Sequence, residues 1–244
     1  MTAPIEARRL TRSFGAELAV DGIDFEVGIG EIHAIVGLNG AGKTTLMRLL
    51  LGMLHPDSGE ARILGSDTGD ATSEVWGQVG HLIETPFAYP ELTVRENVMA
   101  SALLHSVPPS SIGAAVDRVI EQFELGHWAN RRARVLSLGN RQRLGLASAL
   151  VHEPSVLILD EPANALDPAG VVFTRDLLRQ YAGEGVAVFV SSHHLDQLAR
   201  VAHTITVIHR GRQVGMLEPS GIDLERSFFE IVHQSDMAIR EAQA

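Results

Sequence analysis

Residues 37–44 read GLNGAGKT, directly after the apolar run Ile32–Val36 and directly before a helix-periodic stretch, Thr44–Met53. A strand that ends in G-x-x-x-x-G-K-[ST] and opens into a helix constrains the fold more than any other feature of the chain. Gly37, Gly40 and Gly42 let the backbone curl without Cβ clashes. Successive N–H groups then point at one anion, at the positive end of the helix dipole. The pattern assigns Asn39, Gly40, Ala41, Gly42, Lys43, Thr44 and Thr45 to a bound nucleotide. Lys43 is expected to reach the β- and γ-phosphates, Thr45 the α-phosphate, and the Thr44 hydroxyl is expected to face Mg²⁺.

Strand-length apolar runs recur at Val156–Asp160 and Val186–Ser191, with helix-like Gly170–Tyr181 between them. His55–Gly59 is a dense turn signal, and Glu60–Leu64 restarts a strand. Strands alternating with helices predict an α/β fold with a parallel sheet covered on both faces. From Leu92 the periodicity becomes helical, through Val98, Leu103 and Leu104, then Ile112, Val116, Val119, Ile120 and Phe123. Pro108–Ser111 reads as a loop and N-cap between two helices. Thr204–Ile208, the turn Arg210–Gly211 and Gln213–Leu217 predict a hairpin.

The run VLILDE at 156–161 brings Asp160 out at the C-terminal end of a buried strand, where open α/β sheets bind ligands. Asp160 is expected to hold Mg²⁺ and Glu161 to polarise an attacking water, which completes the set that phosphoryl transfer requires.

Further segments fall in a fixed order: LSLGNRQR at 136–143, NALD at 164–167 and VFVSSHHL at 188–195. With GLNGAGKT and VLILDEP, the set resembles the ATP-binding subunit of an ABC transporter over Ile5–Leu217. The resemblance implies a P-loop NTPase core, an antiparallel β subdomain and a mostly helical insert, the ABC ATPase fold. It implies one ATP-binding domain over 1–217, with core segments 1–84 and 155–217 and an insert of about 85–154. It also implies ATP and Mg²⁺ as cofactors and closure of two such domains, head to tail, around two nucleotides. Ser137 and Gly139 would touch the γ-phosphate held by the partner copy, and Asp167 would lie at the seam. His193 would contact the γ-phosphate and orient water with Glu161, and Phe14 would stack on adenine.

The chain departs from the common signature LSGGQ, with Leu138 in place of a glycine and Asn140 in place of the glutamine. A leucine avoids positive φ, so ordinary backbone is expected at 138. Where the loop between core and insert usually carries glutamine, GHLIETPFAYPELTVRENV carries Glu84. Glu84 followed by proline, an aromatic and LTVREN resembles the bacitracin- and lantibiotic-resistance branch of these transporters, and it makes Glu84 a third residue expected near the metal. Residues 218–244 read as one amphipathic helical tail with Leu224, Phe228 and Ile231 inward.

Composition narrows the partners. The net charge of −10 argues against general nucleic-acid binding, although Arg131, Arg132, Arg134, Arg141 and Arg143 cluster in sequence and read as a solvated face or ion-pair network. No run is long enough to span a bilayer, the N-terminus has no secretory h-region, and cysteine is absent. The expected location is the cytoplasm, at the inner face of the membrane and held there only by an integral membrane permease, with a second ATP-binding subunit as the other partner. The alternatives are a non-transport ABC-type ATPase of translation or DNA repair, and an unrelated P-loop kinase or GTPase. The first generally carries two cassettes or a long coiled-coil insertion, neither of which is present, and LSLGNRQR argues against the second.

Overall fold

The runs at Ile32–Val36 (β3), Val156–Leu159 (β7) and Ala187–Ser191 (β8) carry no polar alternation, and each forms a strand buried at every position. They lie at the centre of a six-stranded sheet in the order β10-β9-β3-β8-β7-β6. Here β6 is Val79–Leu82, β9 Thr204–His209 and β10 Arg212–Leu217. All pairings in this sheet are parallel except the β9–β10 hairpin. The structure, a computed structural model, describes residues 2–192 and 195–242.

A second, antiparallel sheet has the order β2-β1-β4-β5, formed by Ile5–Phe14 (β1), Glu17–Val27 (β2), Ser58–Ile63 (β4) and Ser66–Asp67 (β5). The alternation of β1 is broken in the sequence because its pairing with β2 shifts register between Ala7 and Leu10. That shift leaves Arg8 and Arg9 outward in succession, between the buried Ala7 and Leu10.

Helices fill the remaining layers. Lys43–Leu50 (α1) follows β3, and Ser73–Trp76 (α2) precedes β6. The insert holds Val94–Leu104 (α3), Pro109–Gln122 (α4) and Leu138–Leu150 (α5). Pro168–Gly183 (α6), Leu195–Leu198 (α7) and Leu224–Ala242 (α8) complete the chain. Alternate residues of the central strands enter two cores. Ile35, Ile158 and Phe189 pack with α1 and the antiparallel sheet, while Ala34, Leu157 and Val188 pack with the insert and α6. Helix α1, and the loop that leads into it, therefore lie between the two sheets. No described helix is long and apolar enough to cross a membrane.

Three local expectations are corrected. Helix α1 stops at Leu50 rather than Met53, because Gly52 turns the chain at positive φ in a space where a Cβ would lie 2.7 Å from the Thr68 carbonyl. Pro108 is the N-cap of α4 and Pro109 its first residue, so Ser110 and Ser111 are helical rather than loop. Leu103 and Leu104 belong to α3 but face outward, and Val94, Val98 and Ala102 supply its buried stripe. Of the clustered arginines, Arg132 pairs with Glu91 at 3.2 Å, and the Arg131 guanidinium lies 5.0 Å from the Trp128 ring centroid.

Thr93 opens α3 with a full capping box, its hydroxyl accepting from Glu96 N and the Glu96 carboxylate accepting from Thr93 N. Thr93→Ala should cost about 1 kcal/mol of stability, roughly 2–4 °C in Tm by calorimetry for a chain of this size. An unchanged Tm would remove the cap from the account of this helix.

Candidate functional site

The loop between β3 and α1 is shaped by contacts only glycine permits. A Cβ on Gly37 would lie 2.3 Å from the Ile208 carbonyl, and one on Gly42, at φ +105°, would lie 2.2 Å from the Ala19 carbonyl. Gly42 caps α1 without any side-chain acceptor, so no side chain closes the amide end of the helix to an anion. Lys43 is buried, and its Nζ donates to the carbonyls of Gly37 at 2.7 Å and Leu38 at 3.3 Å. Burial holds this ammonium below the usual lysine range, and the charges of Glu161 and Asp160 oppose that fall. Leu38, Asn39 and Gly40 are exposed at the loop tip, Ala41 is buried, and Thr44 and Thr45 are partly buried on α1.

Asp160 emerges from β7 beside that loop. Its Oδ2 accepts from Thr44 Oγ1 at 2.7 Å, and its Oδ1 accepts from Ser191 Oγ at 2.5 Å. The same Ser191 hydroxyl accepts from the Glu161 backbone N–H at 2.9 Å, so the last residue of β8 holds both acids in register. Glu161 has φ +50°, an uncommon left-handed conformation for a residue with a side chain, and the chain turns there immediately after the strand. A hydroxyl and a carboxylate in contact are hard oxygen donors that fit Mg²⁺.

The signature segment is tied to the same acidic turn. Ser137 is the N-cap of α5, with Oγ accepting from Asn140 N at 3.3 Å, and Leu138 begins the helix with a right-handed backbone, as its side chain requires. A Cβ on Gly139 would lie 3.1 Å from the Ala165 carbonyl, so the glycine lets α5 approach the NALD segment. Gln142 is buried, and its Nε2 donates to the carbonyls of Pro162 at 2.9 Å and Glu161 at 3.4 Å. Asp167 caps α6 by accepting from Gly170 N at 2.8 Å. Among the described residues no hydrogen bond joins Ser137 or Gly139 to residues 37–45.

Phe14, at the end of β1, is 49% exposed, so it is not a core residue, and the Arg12 guanidinium lies 5.2 Å from its ring centroid. Among the described residues no hydrogen bond joins Glu84 to Thr44 or Asp160. Glu84 has φ +57°, and its carboxylate pairs with Arg48 of α1 at 2.8 Å. Both line a groove of about 440 Å³ between core and insert, whose rim carries Met53, Phe87, Tyr89 and Leu104. His193 lies outside the described residues. Sequence reasoning gave no role to Ser191, Gln142 or Arg48. Ser191 and Gln142 stand inside motifs read as blocks, and the partner of Arg48 is visible only across the fold.

Residues 20–164 match the sequence family described as ABC transporter. The chain is 37% identical to the bacitracin transport ATP-binding protein BcrA of Bacillus licheniformis over 87% of its own length and 69% of the relative's. It is 32% identical to the Nod factor export ATP-binding protein I of Burkholderia orbicola, over 90% of this chain and 72% of the other. A solved ATP-binding subunit of an ABC transporter superposes with a TM-score of 0.87, covering 94% of this chain and 99% of that one, and at 24% identity it speaks for the fold alone.

Proposed function

Since this chain belongs to the ABC transporter family of ATP-binding subunits, whose cassette hydrolyses ATP, we propose that it drives the export of peptide antibiotics or similar amphiphiles through a separate membrane permease. The observation that carries the reading is the Thr44–Asp160 hydrogen bond, which joins the phosphate loop to the acidic strand end with Glu161 as the next residue. The likeness to the bacitracin and Nod factor export ATPases supports the direction of transport.

In this reading Asn39, Gly40, Ala41, Gly42 and Thr45 bind the phosphates, Lys43 clamps the β- and γ-phosphates, and Phe14 stacks on the base. Phe14 is exposed, as a stacking platform must be. Thr44 and Asp160 would hold Mg²⁺, which would neutralise phosphate charge. Glu84 would join that set with the carboxylate whose Oε1 pairs with Arg48. Glu161 accepts the proton of the attacking water as general base, with His193 orienting that water. The strained turn at Glu161 and its Ser191 hydrogen bond hold the carboxylate's backbone, so little reorganisation accompanies the step.

Ser137 and Gly139 are then free to meet the γ-phosphate of a second copy, with Asp167 at the seam, which makes the working unit a closed homodimer. We read core 1–84 and 155–217, insert 85–154 and tail 218–244 as one such unit on the cytoplasmic side of the membrane. The groove beside Glu84, with its apolar rim and its Arg48–Glu84 floor, suits a permease segment and gives the nucleotide site its route to the membrane partner.

The test is transport in cells that express this chain together with a polytopic membrane permease. The pair should raise resistance to a bacitracin-type peptide, and the parent without its partner should not. Glu84→Ala should bind Mg-ATP as the parent does yet lose the resistance, while Glu84→Gln should keep part of it with altered Mg²⁺ dependence. No resistance from the parent pair overturns the export reading. Full resistance from Glu84→Ala with parental Mg²⁺ dependence removes Glu84 from coupling.

A further inference from the structure

The phosphate loop is held from behind by the β9–β10 turn. The Ile208 carbonyl fills the space over Gly37, and the Gly211 N–H donates to the Ala41 carbonyl at 2.9 Å. The turn is fixed on its other side by the antiparallel sheet, where Asp21 N donates to the Gly211 carbonyl at 2.8 Å and Arg212 pairs with the Asp21 carboxylate at 2.6 Å. Between these contacts stand His209 and Arg210, and both reach the C-terminal helix. The His209 Nε2–H donates to Asp236 Oδ1 at 3.0 Å, and the Arg210 guanidinium lies 3.0 Å from the same oxygen. The other end of α8 borders the loop directly, since Glu225, Phe228 and Phe229 share a cleft of about 240 Å³ with Leu38 and Asn39.

We propose that Asp236 is a positioning residue for nucleotide binding, fixing the phosphate loop through His209, Arg210 and the β9–β10 turn. The proposal rests on the reading of residues 37–45 as the ATP site and extends it to a helix outside the matched family region. Helix α8 is already anchored by the buried Leu224, Phe228 and Val232. The ion pairs of Asp236, which is partly exposed, therefore add little to global stability. Their effect falls on placement. The Ala41 carbonyl and the Gly37 backbone are each set by an atom of the turn, and sub-ångström placement of phosphate-binding amides decides affinity. The His209 hydrogen bond, with the charges of Arg210 and Arg240, holds the Asp236 carboxyl below the usual carboxylate range.

The experiment measures steady-state ATP hydrolysis and Mg-ATP affinity of the full chain in four forms: parent, Asp236→Ala, Asp236→Glu and Arg226→Ala. Asp236→Ala should raise KM and Kd for ATP about threefold to tenfold, with kcat within about twofold and Tm within about 2 °C of the parent. Asp236→Glu keeps the charge and should return KM toward the parent value. Arg226 pairs with Glu230 elsewhere on α8, and Arg226→Ala should match the parent. A parental KM and Kd in Asp236→Ala overturns the proposal, as does a fall in Tm with kcat and KM changing together and no recovery in Asp236→Glu. A parent that does not bind Mg-ATP overturns the ATP-site reading itself, and this proposal with it.

Discussion

Glu161→Gln should bind Mg-ATP as tightly as the parent and hydrolyse it at least about a hundredfold more slowly, the low end of what a general base contributes. The amide keeps the shape of the carboxylate and its backbone N–H still donates to Ser191, so the acidic turn should hold its strained conformation. What is lost is the proton acceptor. A closed pair of subunits that reopens after hydrolysis should then be trapped, and the variant should accumulate as an ATP-dependent dimer. Single-turnover hydrolysis with light scattering, with and without Mg-ATP, checks both effects. Normal turnover by Glu161→Gln would remove Glu161 from the proton-transfer step.

Lys43→Ala should lose nucleotide affinity by about 2–5 kcal/mol, the usual cost of truncating one partner of a buried, charge-assisted contact, roughly 30- to 5,000-fold in Kd. The ammonium is buried and bonded to the Gly37 and Leu38 carbonyls, inside the loop assigned to the phosphates. Its removal opens space at the loop and takes the positive charge away from the phosphates. The fold should survive, because the loop keeps its backbone contacts to the β9–β10 turn through Ala41 and Gly211. Titration calorimetry reads the loss directly, and unchanged affinity would refute the assignment of residues 37–44 to phosphates.

Both variants rest on residues legible from sequence, because each stands in a contiguous motif whose local backbone already implies its chemistry. The same holds for Leu138, which takes an ordinary helical backbone in place of a glycine. A phenylalanine suits a core by residue type, and only the exposure of Phe14 at the end of β1 decides against that. Glu84 is legible only in part. The departure from glutamine is plain in the sequence, but its pairing with Arg48 is not, since nothing local relates the last turn of α1 to a loop after β6.

Legible in the sequence are the core strands at 32–36, 156–160, 186–191, 204–208 and 213–217, the phosphate loop, the acidic strand end and the family they resemble, but not β6 at the sheet edge. Those features are written in short windows, as hydrophobic runs, glycines at fixed offsets and side chains of fixed chemistry. Tertiary structure alone decided the register shift that hides the alternation of β1, the Ser191 hydroxyl that serves both acids, and the attachment of α8 to the turn behind the phosphate loop. Thr44 and Asp160 stand 116 residues apart and meet only because β3, β8 and β7 lie side by side in parallel, with their C-terminal ends at one edge of the sheet. Strand pairing and helix packing set such distances, and no local window of sequence encodes them.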